Sequence, residues 1–570
     1  MASNFGYYNV LRKKTNLNVC FIPLVTISVQ FVILYLAGIL NMLLLTAIAM
    51  LLVGVILFAM DICQKRYSEY RSFGKNTYLY MGICAVFLLL TLHGSKFCNF
   101  DDFSHWATIV QELLMHNAYP NYASSMILFQ SYPLGSATYI YYCCLLAGTE
   151  ESTMMLVQAF MMVCAIMPLF SCVKKHPFSG LVCLLCFTYF AFTYVYNIYL
   201  TSLMVDTLLP LFSMAAFLIV SDICRESRKS ENTDGKTDLW VAAPLLAMTV
   251  MLKNSGVFFA VPTIIALMIN WKRRPEQRLL CAAGILSPAA CMVIWKRHCS
   301  YVFMDAASSK HSVSLGHYAE EFLAKSAEMR GNIGRAILYY TAEHPALICI
   351  VVFLLLIVGI HILIYKTEIK KSLYFSGMVL AMYVLYTVGL YGMYVFSMPM
   401  EETFYLAEFD RYMGSMDIAA FYLLMSYGLR MLDAVESKLK FKAAFAAMLG
   451  VVLLLWGGLT QWRTISGNHD LMPRKWFEDQ IQQYNIPLGA SCVICSSVDE
   501  ADGYMGNVMR YLLWSNVIYA EDDFDAENRD QLHNFSYIMM FDYEDEEMNQ
   551  WIRDNYPDQY GNAVIITSAG

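Results

Sequence analysis

Two adjacent carboxylates, a histidine and a tryptophan stand together in Phe100-Asp101-Asp102-Phe103-Ser104-His105-Trp106, just past an apolar run long enough to be membrane. Neighbouring carboxylates repel, so either a cation joins Asp101 and Asp102 or one is biased towards holding a proton. A carboxylate there can take a proton from a hydroxyl as general base. Asp101, Asp102 and His105 are also a donor set for Mg²⁺ or Mn²⁺. The plainer reading makes Asp102 an N-cap, Asp101 its solvated neighbour and His105 a solvated helix residue. From Trp106, apolar residues fall at Trp106, Ile109, Val110, Leu113 and Leu114, one face of a helix. His105, Thr108 and Glu112 share the other face. The spacing predicts an interfacial helix, apolar side down and polar side to water.

Three further charged positions interrupt apolar surroundings, where each is costly. Asp206, in Leu203-Met-Val-Asp-Thr-Leu-Leu-Pro210, stands at the outer end of a span, as a helix N-cap or as a second acid. Lys253, in Lys253-Asn-Ser-Gly256, is either a snorkelling lysine at a tight turn or a partner for phosphate. Arg411 and Tyr412, in Glu408-Phe-Asp410-Arg411-Tyr412, open another outer helix. There the neighbouring Asp410 and Arg411 read as a surface ion pair of little worth. Taken together, the carboxylates, the lysine and the arginine lie at one membrane face. Reaction on a lipid phosphate calls for that arrangement. A carboxylate deprotonates the acceptor, and a fixed cation or metal steadies the leaving phosphate.

The elements that must position these residues follow from composition. Of 570 residues, 58% are hydrophobic and 15% charged, and mean hydropathy is +0.47. That excludes a soluble globular chain and predicts an α-helical polytopic membrane protein. With a net charge of −7 and no basic domain, nucleic acid is not an expected partner. The seventeen cysteines lie mostly in apolar runs. Cys492-Val-Ile-Cys495 sits in a strand-like run that points the two thiols to opposite faces, so the pair reads as core.

Apolar runs and basic clusters such as Arg12-Lys13-Lys14, Lys174-Lys175, Lys272-Arg273-Arg274 and Lys438-Lys440-Lys442 predict about thirteen transmembrane helices. Runs at about 178–198, 238–252, 255–270, 416–432 and 442–460 are counted among them, whereas 133–147 is short and expected to be interfacial or re-entrant. Residues 1–75 form a cytoplasmic tail and a transmembrane hairpin. The transmembrane core is 76–460, with outer loops at 95–132 and 297–345, the latter holding Lys310 and His311. Residues 461–570 read as a small extracytoplasmic α/β domain. Its strands are expected at Cys492–Ser496, Tyr537–Phe541 and Ala563–Thr567, and its helices around Met505–Trp514 and Glu544–Asn555.

Asp101-Asp102 after an early span, the interfacial helix, Tyr132-Pro133-Leu134-Gly135 and Val205-Asp206-Thr-Leu-Leu resemble the GT-C superfamily of integral-membrane glycosyltransferases. The pattern is nearest to the protein mannosyltransferase and lipid A aminoarabinose transferase group, over about residues 76–460. The resemblance implies a plasma-membrane enzyme, bacterial and inverting, with an extracytoplasmic site. It would move a sugar from a polyprenyl-phosphate donor to a glycan, lipid or protein acceptor. It implies Asp101 or Asp102 as base, Asp206 as the second acid, and Lys253 with Gly256 as a phosphate turn. His105, Arg411 and Tyr412 are expected to bind substrate. The chain departs from the family pattern in its extra hairpin at 19–60. A transporter or flippase of a lipid-linked saccharide is the main rival. Transporters place charges near the midplane, often with repeats, whereas these charges gather at the outer boundary.

Overall fold

The computed structural model describes residues 2–64, 73–124, 126–127, 129–195, 198–229, 238–303, 315–362, 369–434, 472–497, 501–521, 526–543 and 545–567. In chain order the first helices are α1 (Ala2–Lys14), α2 (Ile22–Ile39), α3 (Leu43–Cys63), α4 (Lys75–Leu92), α5 (Ala107–His116), α6 (Gly135–Ala147), α7 (Glu151–Ile166), α8 (Pro177–Thr193) and α9 (Leu208–Lys229). Next come α10 (Ala242–Leu252), α11 (Gly256–Arg273), α12 (Arg278–Val302), α13 (Leu315–Ala324), α14 (Ala327–Glu343), α15 (Pro345–Ile360), α16 (Ile369–Phe396), α17 (Met400–Phe404) and α18 (Phe409–Ala434). The remaining elements are α19 (Arg474–Gln483), β1 (Cys492–Cys495), α20 (Ala501–Leu513), β2 (Ile518–Glu521), α21 (Ala526–Gln531), β3 (Tyr537–Met540), α22 (Glu546–Asn555) and β4 (Val564–Ile566).

Among the described residues, seven helices are long and apolar enough to cross a membrane. They are α2, α3, α4, α7 with its 3₁₀ extension to Cys172, α9, α12 with the turn from Pro275, and α16. The pair α14–α15, bent by 56°, makes an eighth if it is one span. Other runs counted in the sequence are helical but do not stand alone as spans. α8 and the stretch Asp238–Leu252 are apolar and short. The runs at 255–270 and 416–432 fall in α11 and α18, whose sequences carry Lys272 and Arg273, and Asp410, Arg411, Asp417, Arg430 and Asp433. The run at 442–460 with its lysines, and Lys310 and His311, lie outside the described residues. At 13 residues α6 is about 20 Å long, too short to cross.

Burial sorts the helices into centre and rim. α7, α9 and α2 are 78%, 72% and 67% buried along their apolar stretches, and α3, α4 and α12 only 22%, 28% and 28%. Exposed Leu45, Leu52, Leu90 and Leu279 on the rim helices suit contact with lipid rather than water. α1 is not a loose tail. Tyr7 donates to the Met50 carbonyl of α3 at 2.7 Å, and Gln30 of α2 donates to Asn4 at 2.8 Å.

The sheet runs β2-β1-β3-β4, with β1 parallel to β2 and β3, and β4 antiparallel to β3. A central strand buried on both faces reads as a continuous apolar run, and all four residues of β1 are buried. Cys492 and Ile494 pack into the large core that continues into the membrane helices. Val493 and Cys495 face a smaller one with Ile538, Met548 and Ile552. Both cysteines are free and buried, so the expected core role is what the fold contains. β2 is an addition to the three strands expected.

This sheet and its helices sit on the loop that carries the acidic pair. Arg474 of α19 donates to both Glu151 oxygens, at 2.7 and 2.9 Å, and to the Phe97 carbonyl at 2.6 Å. Lys96 meets Glu478, and Tyr504 of α20 donates to the Cys98 carbonyl at 2.9 Å. Phe103 packs edge-on against Tyr504 and Tyr511. The loop from Lys96 to Trp106 is therefore tied to α19 and α20.

Candidate functional site

Lys253 owes its place to a turn. It ends α10 in an extended conformation, and its carbonyl accepts the Gly256 N–H at 2.8 Å, so α11 starts three residues later. A Cβ on Gly256 would stand 2.1 Å from the Thr249 carbonyl oxygen. Only glycine lets the two helix ends approach this closely. Gly256→Ala is expected to cost ~1–3 kcal/mol through overpacking and to displace Lys253. Thermal unfolding in detergent measures it, and an unchanged melting temperature would show that α10 yields without strain. Gly135 acts likewise at the head of α6. A Cβ there would lie 2.5 Å from the Met251 carbonyl, two residues before Lys253, and 2.0 Å from the Phe31 ring. Thus Tyr132-Pro133-Leu134-Gly135 is packed against the helix end that presents the lysine.

The lysine Nζ lies 2.8 Å from Asp206 Oδ1. Asp206 stands in the turn before α9, with its side chain 4% exposed, and its carbonyl accepts the Ser415 hydroxyl of α18 at 2.8 Å. Burial pushes the Asp206 carboxyl up, but Lys253 and Arg411 outweigh it and hold the group below its ordinary value. Arg411, in the first turn of α18, puts Nη1 2.5 Å from Asp101 Oδ2 and Nε 3.2 Å from Glu408. Burial disfavours its cation, but Asp206, Asp101 and Glu408 outweigh that and raise its pKa. The Tyr412 ring faces both cations, 5.4 Å from Lys253 and 5.5 Å from Arg411. Its carbonyl accepts the Tyr386 hydroxyl at 2.9 Å. Lower on α18, Asp417 receives the hydroxyls of Tyr194 at 2.7 Å and Tyr383 at 3.0 Å, which anchors the helix that presents Arg411.

Asp410 is exposed and is not the partner of Arg411. The partners are Glu408, three residues earlier, and Asp101, 310 positions away. Leu406 and Glu408, just before α18, both adopt positive φ, at 47° and 62°. Such left-handed conformations cost about 1–3 kcal/mol each and cluster at functional sites.

Asp102 takes a different course from Asp101. It does not cap its own helix. Its Oδ1 accepts the Leu203 N–H at 2.8 Å, so it ties the first acidic loop to the turn holding Asp206. Its Oδ2 has no partner among the described residues. Burial pushes its carboxyl well up, against the Leu203 N–H and Ser202 hydroxyl that favour the charged form.

The expected interfacial helix is present as a π-helical turn, Asp102–Trp106, leading into α5. Its polar face does not meet water: His105, Thr108 and Glu112 are 1%, 1% and 4% exposed. The reason is tertiary. α6 packs against α5 and α20 against the π turn. Thr108 donates to the Phe103 carbonyl, and Glu112 accepts from Ser124. His105 lies edge-on to Trp106, Phe129 and Tyr132, with ring centres 4.9, 5.4 and 5.1 Å away. Neither ring nitrogen has a hydrogen-bond partner among the described residues. Burial, reinforced by the Lys253 charge, lowers this imidazole to about 3, so it is neutral.

The expected metal donors do not converge. Asp101 turns to Arg411, Asp102 to Leu203, and His105 into its aromatic box. Among the described residues no three His, Cys, Asp or Glu side chains are placed to hold an ion. Four residues of the expected set do meet, namely Asp101, Asp206, Lys253 and Arg411, with Tyr412 against the cations. Glu408, Tyr132 and Tyr386 were not assigned roles from sequence. Only Glu408 carried a usable signal, its three-residue spacing from Arg411 at a helix start. No protein-family model, curated protein or solved structure matches this chain.

Proposed function

We propose that this protein is a membrane glycosyltransferase moving a sugar from a polyprenyl-phosphate donor to an extracytoplasmic acceptor. The observation that carries the reading is the meeting of Asp206 with Lys253 and of Asp101 with Arg411, from four separate segments. Paired cations beside carboxylates fit a reaction that deprotonates a hydroxyl and discharges a phosphate. The acceptor oxygen bonds to the anomeric carbon as its proton passes to a carboxylate. The bond from that carbon to the phosphate oxygen breaks, and its electron pair stays on the phosphate. Lys253 acts there as a point charge and Arg411 as a planar fork. Neutral, buried His105, whose ring nitrogens have no partner among the described residues, is the proposed hydrogen-bonding contact for a sugar hydroxyl. Asp102 holds the two acidic loops together. The motif resemblance to GT-C enzymes supports the same assignment.

The reading includes about thirteen crossings, with the sheet and the charged cluster on the extracytoplasmic side of a bacterial plasma membrane. Reporter fusions after residue 230 and after residue 470 check this. A cytoplasmic signal from the second is the outcome that sinks the topology. The activity itself is tested with purified protein against a panel of polyprenyl-phosphate sugars, scored by donor consumption. If no donor in the panel is consumed by folded protein, the reading fails.

A further inference from the structure

Both cations of the cluster are already engaged. Two positive groups, Lys253 and Arg411, face three carboxylates, Asp206, Asp101 and Glu408, a formal sum of −1. A phosphate arriving at this place makes the sum more negative. Asp101 and Glu408 have a remedy, since their side chains are 30% and 43% exposed and can turn to solvent. Asp206, at 4%, has none. When a phosphate takes Lys253, Asp206 loses its nearest counter-ion and keeps only Arg411, which is itself paired with Asp101 and Glu408, so its charged form is held less firmly. Neutral His105 supplies no compensating charge.

We infer that Lys253 exchanges Asp206 for the donor phosphate, and that this exchange makes Asp206 the base that receives the acceptor proton. The inference rests on the glycosyl-transfer reading and deepens it. Before donor binding, Lys253 keeps Asp206 a weak base. Losing the cation raises its proton affinity. The proton then comes from the acceptor hydroxyl, whose oxygen attacks the anomeric carbon, while the electron pair of the breaking carbon–oxygen bond stays on the phosphate beside Lys253. Asp101, paired with Arg411 and reaching solvent, remains a positioning residue for that arginine.

The test uses the full chain in lipid nanodiscs with polyprenyl phosphate, the sugar-free product, as probe. Asp206→Asn removes the competitor for Lys253, so it is expected to bind the probe about tenfold more tightly than wild type. Turnover in the same variant falls by ~10²–10⁴, the range for losing a general base. Asp206→Glu should recover part of the turnover. In wild type, probe binding should produce the infrared C=O band of a protonated carboxylic acid, and Asp206→Asn should lack it. This readout needs only folded wild-type protein. Weaker or unchanged binding by Asp206→Asn, or no carboxylic acid band in a wild type that binds the probe, overturns the exchange alone. Failure of wild type and variant alike to bind the probe overturns the transfer reading with it.

Discussion

Lys253→Met is expected to cut turnover by ~10² or more, the scale for losing one group that stabilises charge developing in a transition state. The structure adds a second consequence. Lys253 is the closest counter-ion of Asp206, whose side chain is almost wholly buried, and removing one partner of a buried pair costs ~3 kcal/mol or more. A loss of activity in the single variant therefore mixes chemistry with stability. The double variant Lys253→Met/Asp206→Asn separates them. It should regain most of the melting temperature, because no buried charge is left unpaired, and should stay inactive. Arg411→Lys should also impair turnover, since a lysine cannot reproduce contacts to Asp101 and Glu408 from one planar group. Wild-type turnover in Lys253→Met would leave the lysine as a structural partner of Asp206 only.

Arg474→Ala should have the largest effect on structure. Arg474 is 3% exposed at its side chain, grips both oxygens of Glu151, reaches the Phe97 carbonyl and lies over the Phe103 ring. Truncation leaves Glu151 without its cation and the carbonyl without a donor, at a cost of ~3–5 kcal/mol. The loss falls at the seam between α19 and the loop carrying Asp101, so local opening is expected before global unfolding. Hydrogen exchange should speed up over residues 96–106 and 474–483 together. Glu151→Gln should loosen the same two segments, and the two changes combined should add little to either. Unchanged exchange in the loop would show that it is held from the membrane side alone.

Much of this arrangement was readable from residue types and periodicity. Among the described residues the apolar runs are helices, the Lys-x-x-Gly turn is a turn, and the Cys492–Cys495 run is a buried strand with its thiols on opposite faces. What sequence reading missed depends on tertiary contact. The polar face of α5 looked solvated because nothing local shows that Ser124, Phe129 and Tyr132 fold over it. Asp410 looked like the partner of Arg411 because it is adjacent, whereas the carboxylates that meet the guanidinium are Glu408 and Asp101. β2 escaped notice because four residues, Ile518–Glu521, are too few for alternation to stand out and end in a charge. The split between Asp101 and Asp102 is set by Leu203 and Arg411, both remote in sequence.

The central claim is that a lipid-linked sugar is cleaved at the Lys253–Asp206 pair, not carried whole across the bilayer. The most direct measurement places a polyprenyl-phosphate sugar in vesicles containing the reconstituted protein and an acceptor. It counts polyprenyl phosphate released and sugar transferred. Transfer by attack of the acceptor oxygen predicts one phosphate released per sugar transferred, an inverted anomeric configuration in the product, and loss of both signals in Lys253→Met. Intact lipid-linked saccharide appearing in the opposite leaflet, with no polyprenyl phosphate released, would contradict the claim and make the protein a transporter.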